Sequence, residues 1–172
     1  MDIDIQKILE KRKKVILKKW FDLVVDTYPS DTSRFLKKEK DPFSNPVGRT
    51  TLKSLETLFD YLQHKIEEEE LINALDSVIR IRSIQDFSPS RAIGFIFFLK
   101  TIIRDEVNKE TKNEDLAQNL YTIEYRIDGL MMMAFDIYAR CRETLYQIKA
   151  NEEKNRFYNA FKRAGLITEI IE

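Results

Sequence analysis

His64 is the only histidine of the chain, so it is the one side chain able to act as a neutral-pH base or a haem ligand. The apolar positions Leu55, Phe59, Leu62 and Ile66 share one helical face, and residue 64 falls on the far side with Asp60 and Glu67. That spacing predicts a solvated histidine. Cys141 is the only cysteine, which excludes an intramolecular disulfide and a cysteine-based zinc site and suits a reducing compartment. Its place in an apolar stripe makes it a small buried hydrophobe. The carboxylates lack the Glu-x-x-His repeat of a di-iron bundle. The serines have no histidine to activate them except His64, and no P-loop or nucleophile elbow occurs. The expectation is a protein without catalysis, without haem or transition metal, and without another cofactor.

Two polar clusters remain. In Arg80-Ile81-Arg82-Ser83-Ile84-Gln85-Asp86, one helix runs into a second that starts with Ser88 as N-cap and Pro89 at the first helical position. Arg80 and Asp86 cannot share a helical face, but a bend between them can bring a guanidinium onto a carboxylate or onto exposed carbonyls, a structural corner tie that Arg82 and Asp86 would carry. Alternatively, Arg80, Arg82, Gln85, Asp86 and Ser88 form a small-anion or partner site at the N-terminus of the next helix. The second cluster is Asp41-Pro42-Phe43-Ser44-Asn45-Pro46-Val47-Gly48, a loop with two prolines and a glycine in eight residues. Asp41, Phe43 and Asn45 are its candidates, facing an apolar or anionic small molecule held against the aromatic stretch Ala92–Leu99. Met131-Met132-Met133 reads either as core filler or as an adaptable partner groove.

The elements that must position these residues are helical. Only four Gly and four Pro occur in 172 residues, too few turn residues for a sandwich, a barrel or a Gly-rich nucleotide fold. The length predicts one domain. Lys+Arg and Asp+Glu are 29 each, so no excess of positive charge marks a nucleic-acid binder, although seven Lys/Arg crowd the first twenty residues. The longest apolar run, Ala92–Leu99, is far short of the ~20 residues that span a bilayer, and no signal peptide is visible. These features predict a cytoplasmic protein without membrane insertion.

Periodicity places a first helix over Ile3–Thr27, with Ile5, Ile8, Leu9, Ile16, Trp20, Leu23 and Val24 inward and the lysines opposite. A short turn of helix follows near Thr32–Leu36. A second long helix spans Gly48–His64 with Leu52, Leu55, Phe59 and Leu62 inward, and a third runs from Glu67 to Gln85. A fourth, Pro89–Lys109, is apolar nearly all round, which predicts a central position. The last helix starts at Asn113 and runs toward Arg163, with Gly165 as its stop. Its seam, from Leu116 through Ile127, Leu130, Ala134, Ile137 and Cys141 to Ile148, spans about 50 Å at 1.5 Å per residue. Such a rod predicts a homodimer through Ile127, Leu130, Met131, Ala134, Ile137 and Cys141, unless the helix breaks near Gly129 and folds back. Phe157, Phe161, Leu166, Ile167, Ile170 and Ile171 form a second apolar strip that docks on the bundle or binds a partner.

Tyr28-Pro29, the Asp41–Gly48 loop and the Arg80–Ser90 corner resemble, in that order, the N-terminal domain of the RsbT co-antagonist proteins RsbR and RsbRD, over roughly residues 10–150. The resemblance implies a globin-like domain without haem that dimerises through helices and serves as sensory input to stress-signalling assemblies. Relatives of the RsbR type carry a C-terminal STAS domain with the phosphorylated threonines. The chain reaches Glu172 with no room for one, which predicts a free-standing input domain. The combined expectation is an all-α bundle of about five or six helices with a long C-terminal helix. Residues 1–150 form a sensor-like domain and 151–172 a helical extension. Its function is regulatory contact with protein partners, or else the binding of a small-molecule signal.

Overall fold

The computed structural model describes residues 5–39, 41, 43–63, 66–85, 87–110 and 117–166, the last of these with side chains from 120 on. Every element among them is a helix: α1 (Ile5–Val25), α2 (Ser30–Lys38), α3 (Pro46–Gln63), α4 (Glu68–Ile84), α5 (Pro89–Ile93), α6 (Phe95–Glu110) and α7 (Ala117–Arg163). The fold is an all-α bundle, as the scarcity of turn residues requires. The predicted His64 position and the Asn113–Leu116 start of the last helix lie outside the described residues.

α1 packs between α6 and α3, α3 packs on α4, and α4, α5 and α6 together hold α7. Leu9, Ile16, Trp20 and Val24 of α1 are fully enclosed. The Trp20 indole stacks near the Phe95 ring, with centroids 6.3 Å apart, and donates its N–H to the Phe95 carbonyl at 2.6 Å. A buried indole with its one donor satisfied fixes α1 against the start of α6.

Three expectations need correction. Leu23 and Leu52 lie at the edges of their stripes and are exposed, because the buried face is narrower than the periodic pattern. The lysines of α1 are not all opposite the core. Between Leu9 and Ile16 the inner positions are Arg12 and Lys13, which reach across to Glu106 on α6 and Asp60 on α3. The stretch from Pro89 is two helices rather than one. A Cβ at Gly94 would stand 2.5 Å from the Ser90 carbonyl oxygen, and the chain turns there, leaving Phe97 exposed beside a buried Phe95 and Ile96. The long last helix is as expected: α7 runs through Gly129 without a break. Its 47 residues run continuously for about 70 Å.

Glu106 is the carboxylate this packing encloses among the described residues. Its carboxylate is shut off from solvent and accepts hydrogen bonds from Lys19 at 2.5 Å, Lys109 at 2.7 Å and Arg12. Burial alone would raise its pKa; the bonds from Lys109, Lys19 and Arg12 outweigh burial and hold it at about 2. A carboxylate depressed in the folded state adds stability that is complete above its unfolded value of 4.5 and is lost as pH falls toward about 2. Glu106→Gln should therefore lower stability at pH 7 by about 1.5–3 kcal/mol, the worth of hydrogen bonds to a charged group. Urea denaturation at several pH values checks this. The wild-type and variant curves should approach one another between pH 4.5 and 2, and a constant gap would contradict the assignment.

Candidate functional site

The α4–α5 corner is built on Arg82, whose side chain is completely buried. Its Nη1 donates to the Arg91 carbonyl at 2.9 Å, and its Nη2 donates to the Val24 carbonyl at 3.0 Å and the Thr27 hydroxyl at 2.8 Å. The guanidinium lies over three rings, 4.9 Å from Phe87 and 5.3 Å from both Tyr28 and Phe95. Burial pulls the Arg82 pKa down, with Tyr28 opposing, and burial pushes the Tyr28 phenol up. The Nε proton has no partner. Aromatic faces and carbonyl oxygens thus replace most of the hydration of one cation. Its expected partner Asp86 lies outside the described residues. The tie is real, and it rests on carbonyls and rings. It also removes Arg82 from the ligand-binding candidates, because nothing in solvent reaches it.

The corner seats α7. Phe87, pinned beside Arg82, accepts a hydrogen bond at its carbonyl from the buried Tyr138 hydroxyl at 2.6 Å. One turn later Arg142 Nη1 donates to the Ser83 carbonyl at 3.0 Å, and the Arg142 guanidinium stacks on Tyr146 at 5.0 Å. From Tyr146 to Leu166 every side chain is exposed. Gly165, at φ 69°, ends the helix, with its N–H on the Lys162 carbonyl and the Leu166 N–H on the Phe161 carbonyl.

The loop candidates divide. Asn45 is buried as the cap of α3: its Oδ1 accepts the Gly48 N–H at 2.8 Å, and its Nδ2 donates to the Leu36 and Glu39 carbonyls, each at 3.0 Å. All its polar capacity serves the fold. Asp41 accepts the Ser44 hydroxyl at 2.7 Å, which holds its carboxyl below the usual range, with the Phe43 and Ser44 N–H groups adding to the effect. Phe43 stands 94% exposed at the tip of that turn. Asn45 and Gln85 do meet, along a cavity of about 230 Å³ walled by Tyr28, Phe35 and Val47. This cavity lies beside α2, away from the predicted aromatic wall. Ser88 is exposed and paired with Ser90 at 3.3 Å; it makes no capping bond.

Arg80 is exposed and locked in a two-pronged pair with Asp76 at 2.8 and 2.9 Å, which raises its pKa. It lines a larger cavity, about 410 Å³, between α4 and α7, together with Ile137, Arg140 and Cys141. The predicted seam residues Ile127, Leu130, Ala134 and Ile137 are buried by α7's own bundle, and Met131 and Cys141 are half-buried against it. They are core, so a partner cannot use the first four. Sequence reasoning missed the opposite face: Tyr121, Tyr125, Met132, Phe135 and Tyr146 are all exposed, from 47% at Phe135 to 70% at Tyr125. Ile127, Leu130 and Ala134 each sit two residues from one of these, about 200° around the helix. The signal was present in the spacing, but the stronger inner stripe overlay it.

A family model described as the RsbT co-antagonist protein rsbRD N-terminal domain matches residues 14–152. The chain belongs to this family. No curated protein and no solved structure matches it. In this RsbRD N-terminal domain the matched stretch holds Tyr28, the Asp41–Gly48 loop and the Arg82 corner, and it ends inside α7. Among the described residues no group of three or more His, Cys, Asp or Glu is placed to hold a metal ion, and no helix is long and apolar enough to cross a membrane.

Two substitutions test the structural roles. Arg82→Ala should cost on the order of 3 kcal/mol, since it opens a void and strips donors from buried carbonyls. Gly48→Ala should cost about 1–3 kcal/mol, because its methyl would lie 2.4–2.8 Å from the Asn45 side chain. Chemical denaturation measures both. Changes under about 0.5 kcal/mol, typical of ordinary surface positions, would contradict these assignments.

Proposed function

We propose that this protein is a non-enzymatic input module of bacterial stress signalling. It is a globin-like bundle without haem that acts in the cytoplasm through protein–protein contact, as a homodimer. Family membership supports the signalling role. The observation that carries the contact mode is the second apolar face of α7. An inner stripe alone would suffice to hold α7 on its bundle, yet Tyr121, Tyr125, Met132, Phe135 and Tyr146 turn a second stripe outward, and Phe157 and Phe161 prolong it along the extension. Large apolar side chains exposed along one face of a helix in this way are characteristic of interaction sites. The extension also needs a partner for its own sake. Residues 149–163 have no covered face, and an isolated helix of that length is marginal in water. A second copy supplies the same stripe and covers both.

The bundle then acts as the receiving part and the 151–172 segment as the part that presents the signal. Light scattering at tens of micromolar tests the contact: wild type should be a dimer, and Phe135→Asp a folded monomer that still unfolds cooperatively. The aspartate enters an exposed position, so the fold should tolerate it. A monomeric wild type, or a Phe135→Asp protein that stays dimeric, would overturn the proposal.

A further inference from the structure

From the cavity between α4 and α7 we infer that this domain binds a small apolar carboxylic acid there. At about 410 Å³ the space falls in the range of small-ligand pockets. Its walls are apolar: Ile72 and Ile84 from α4, and Ile137, Leu145 and Ile148 from α7. The mouth opens along Ile84 and Ile148, which are 61% and 49% exposed.

The polar groups around it are unequal. The Asp76 carboxylate is already occupied by Arg80, Ser83 Oγ donates to the Arg80 carbonyl, and Thr144 Oγ1 donates to the Arg140 carbonyl. Arg140 remains, exposed, with no ion pair among the described residues. The lining thus carries two guanidinium groups against one carboxylate. An occupant with an apolar body and one negative charge at its rim satisfies every group present.

The alternative occupant, a helix from a second copy, fits less well. The α7 face that lines the cavity turns polar after Ile148, continuing as Glu152, Asn155 and Asn159, so the apolar strip is too short for a helical seam. A compact molecule ends where the strip ends. It would touch α4 on one side and the root of the projecting α7 on the other, placing a signal where the proposed output element leaves the bundle. That consequence rests on the proposed function; the binding does not.

Cys141 lines the cavity as the only thiol of the chain and reports its occupancy. The test is the rate of Cys141 alkylation by iodoacetamide in the full chain, titrated with octanoate or with 1-octanol. Octanoate should slow alkylation saturably. Arg140→Gln should raise the octanoate concentration required by about tenfold while leaving 1-octanol unaffected, and Arg140→Lys should restore most of the difference. The absence of saturable protection by octanoate would overturn the inference. So would an equal response of Arg140→Gln and wild type to octanoate. Protection that grows with protein concentration without octanoate would show instead that a second copy fills the cavity. The thiol is read within one protomer, whether monomeric or dimeric. A missing octanoate effect therefore counts against this inference alone, and a missing dimer against the proposed function alone.

Discussion

A guanidinium sealed inside an apolar corner is the constraint from which the rest of this structure follows. Removing the Arg82 cation from water is costly, and the cost is offset only if its donors and its charge find substitutes. Two carbonyls, a hydroxyl and three aromatic faces supply them, and these come from the end of α1, the turn after it, the linker between α4 and α5, α5 itself and the start of α6. No one of these segments can move without exposing the cation to a worse environment. The corner is therefore a junction of five chain segments held by one side chain.

The path of α7 depends on that junction. Phe87 is fixed by Arg82 and accepts the Tyr138 hydroxyl; Ser83, one residue past Arg82, accepts Arg142. These bonds fall at the last buried turns of α7, just before its side chains become wholly exposed. The direction in which the extension leaves the bundle is thus set by the α4–α5 corner, not by the extension's own packing. At the other side of the molecule the Glu106 cluster plays a complementary part, tying α1 to α6 with charges where the inner stripe of α1 has no apolar residue. The cavity beside Arg80 and Arg140 lies against the same exit.

The helices were legible in the sequence because apolar periodicity is a direct consequence of burying one face. The positions of α1, α3 and α4 follow from it to within two or three residues. What was not legible depends on three-dimensional company. Asn45 looks like a surface binding group because its residue type usually is; only the fold shows the carbonyls waiting for it. The corner tie at Arg82 was legible, but the segments that supply its carbonyls and rings were not. Gly94 looks like one more small residue in an apolar run, and its close approach to Ser90 exists only in the folded turn. Arg12 and Lys13 interrupt the α1 stripe, and nothing local announces that Glu106 and Asp60 wait nearly fifty or more residues away. On α7, two apolar stripes on opposite faces blur each other, so the heptad seam that was legible belongs to the core and the exposed apolar stripe opposite it was not.

The central claim is that α7 has one face for its own bundle and one for a second copy. Backbone hydrogen exchange measured across a dilution series tests it most directly. Amides of residues 123–138, held by the bundle, should exchange equally slowly at every concentration. Amides of residues 149–163 should be protected at tens of micromolar and lose that protection as the protein is diluted and the copies separate. Exchange along residues 149–163 that is independent of protein concentration would contradict the account.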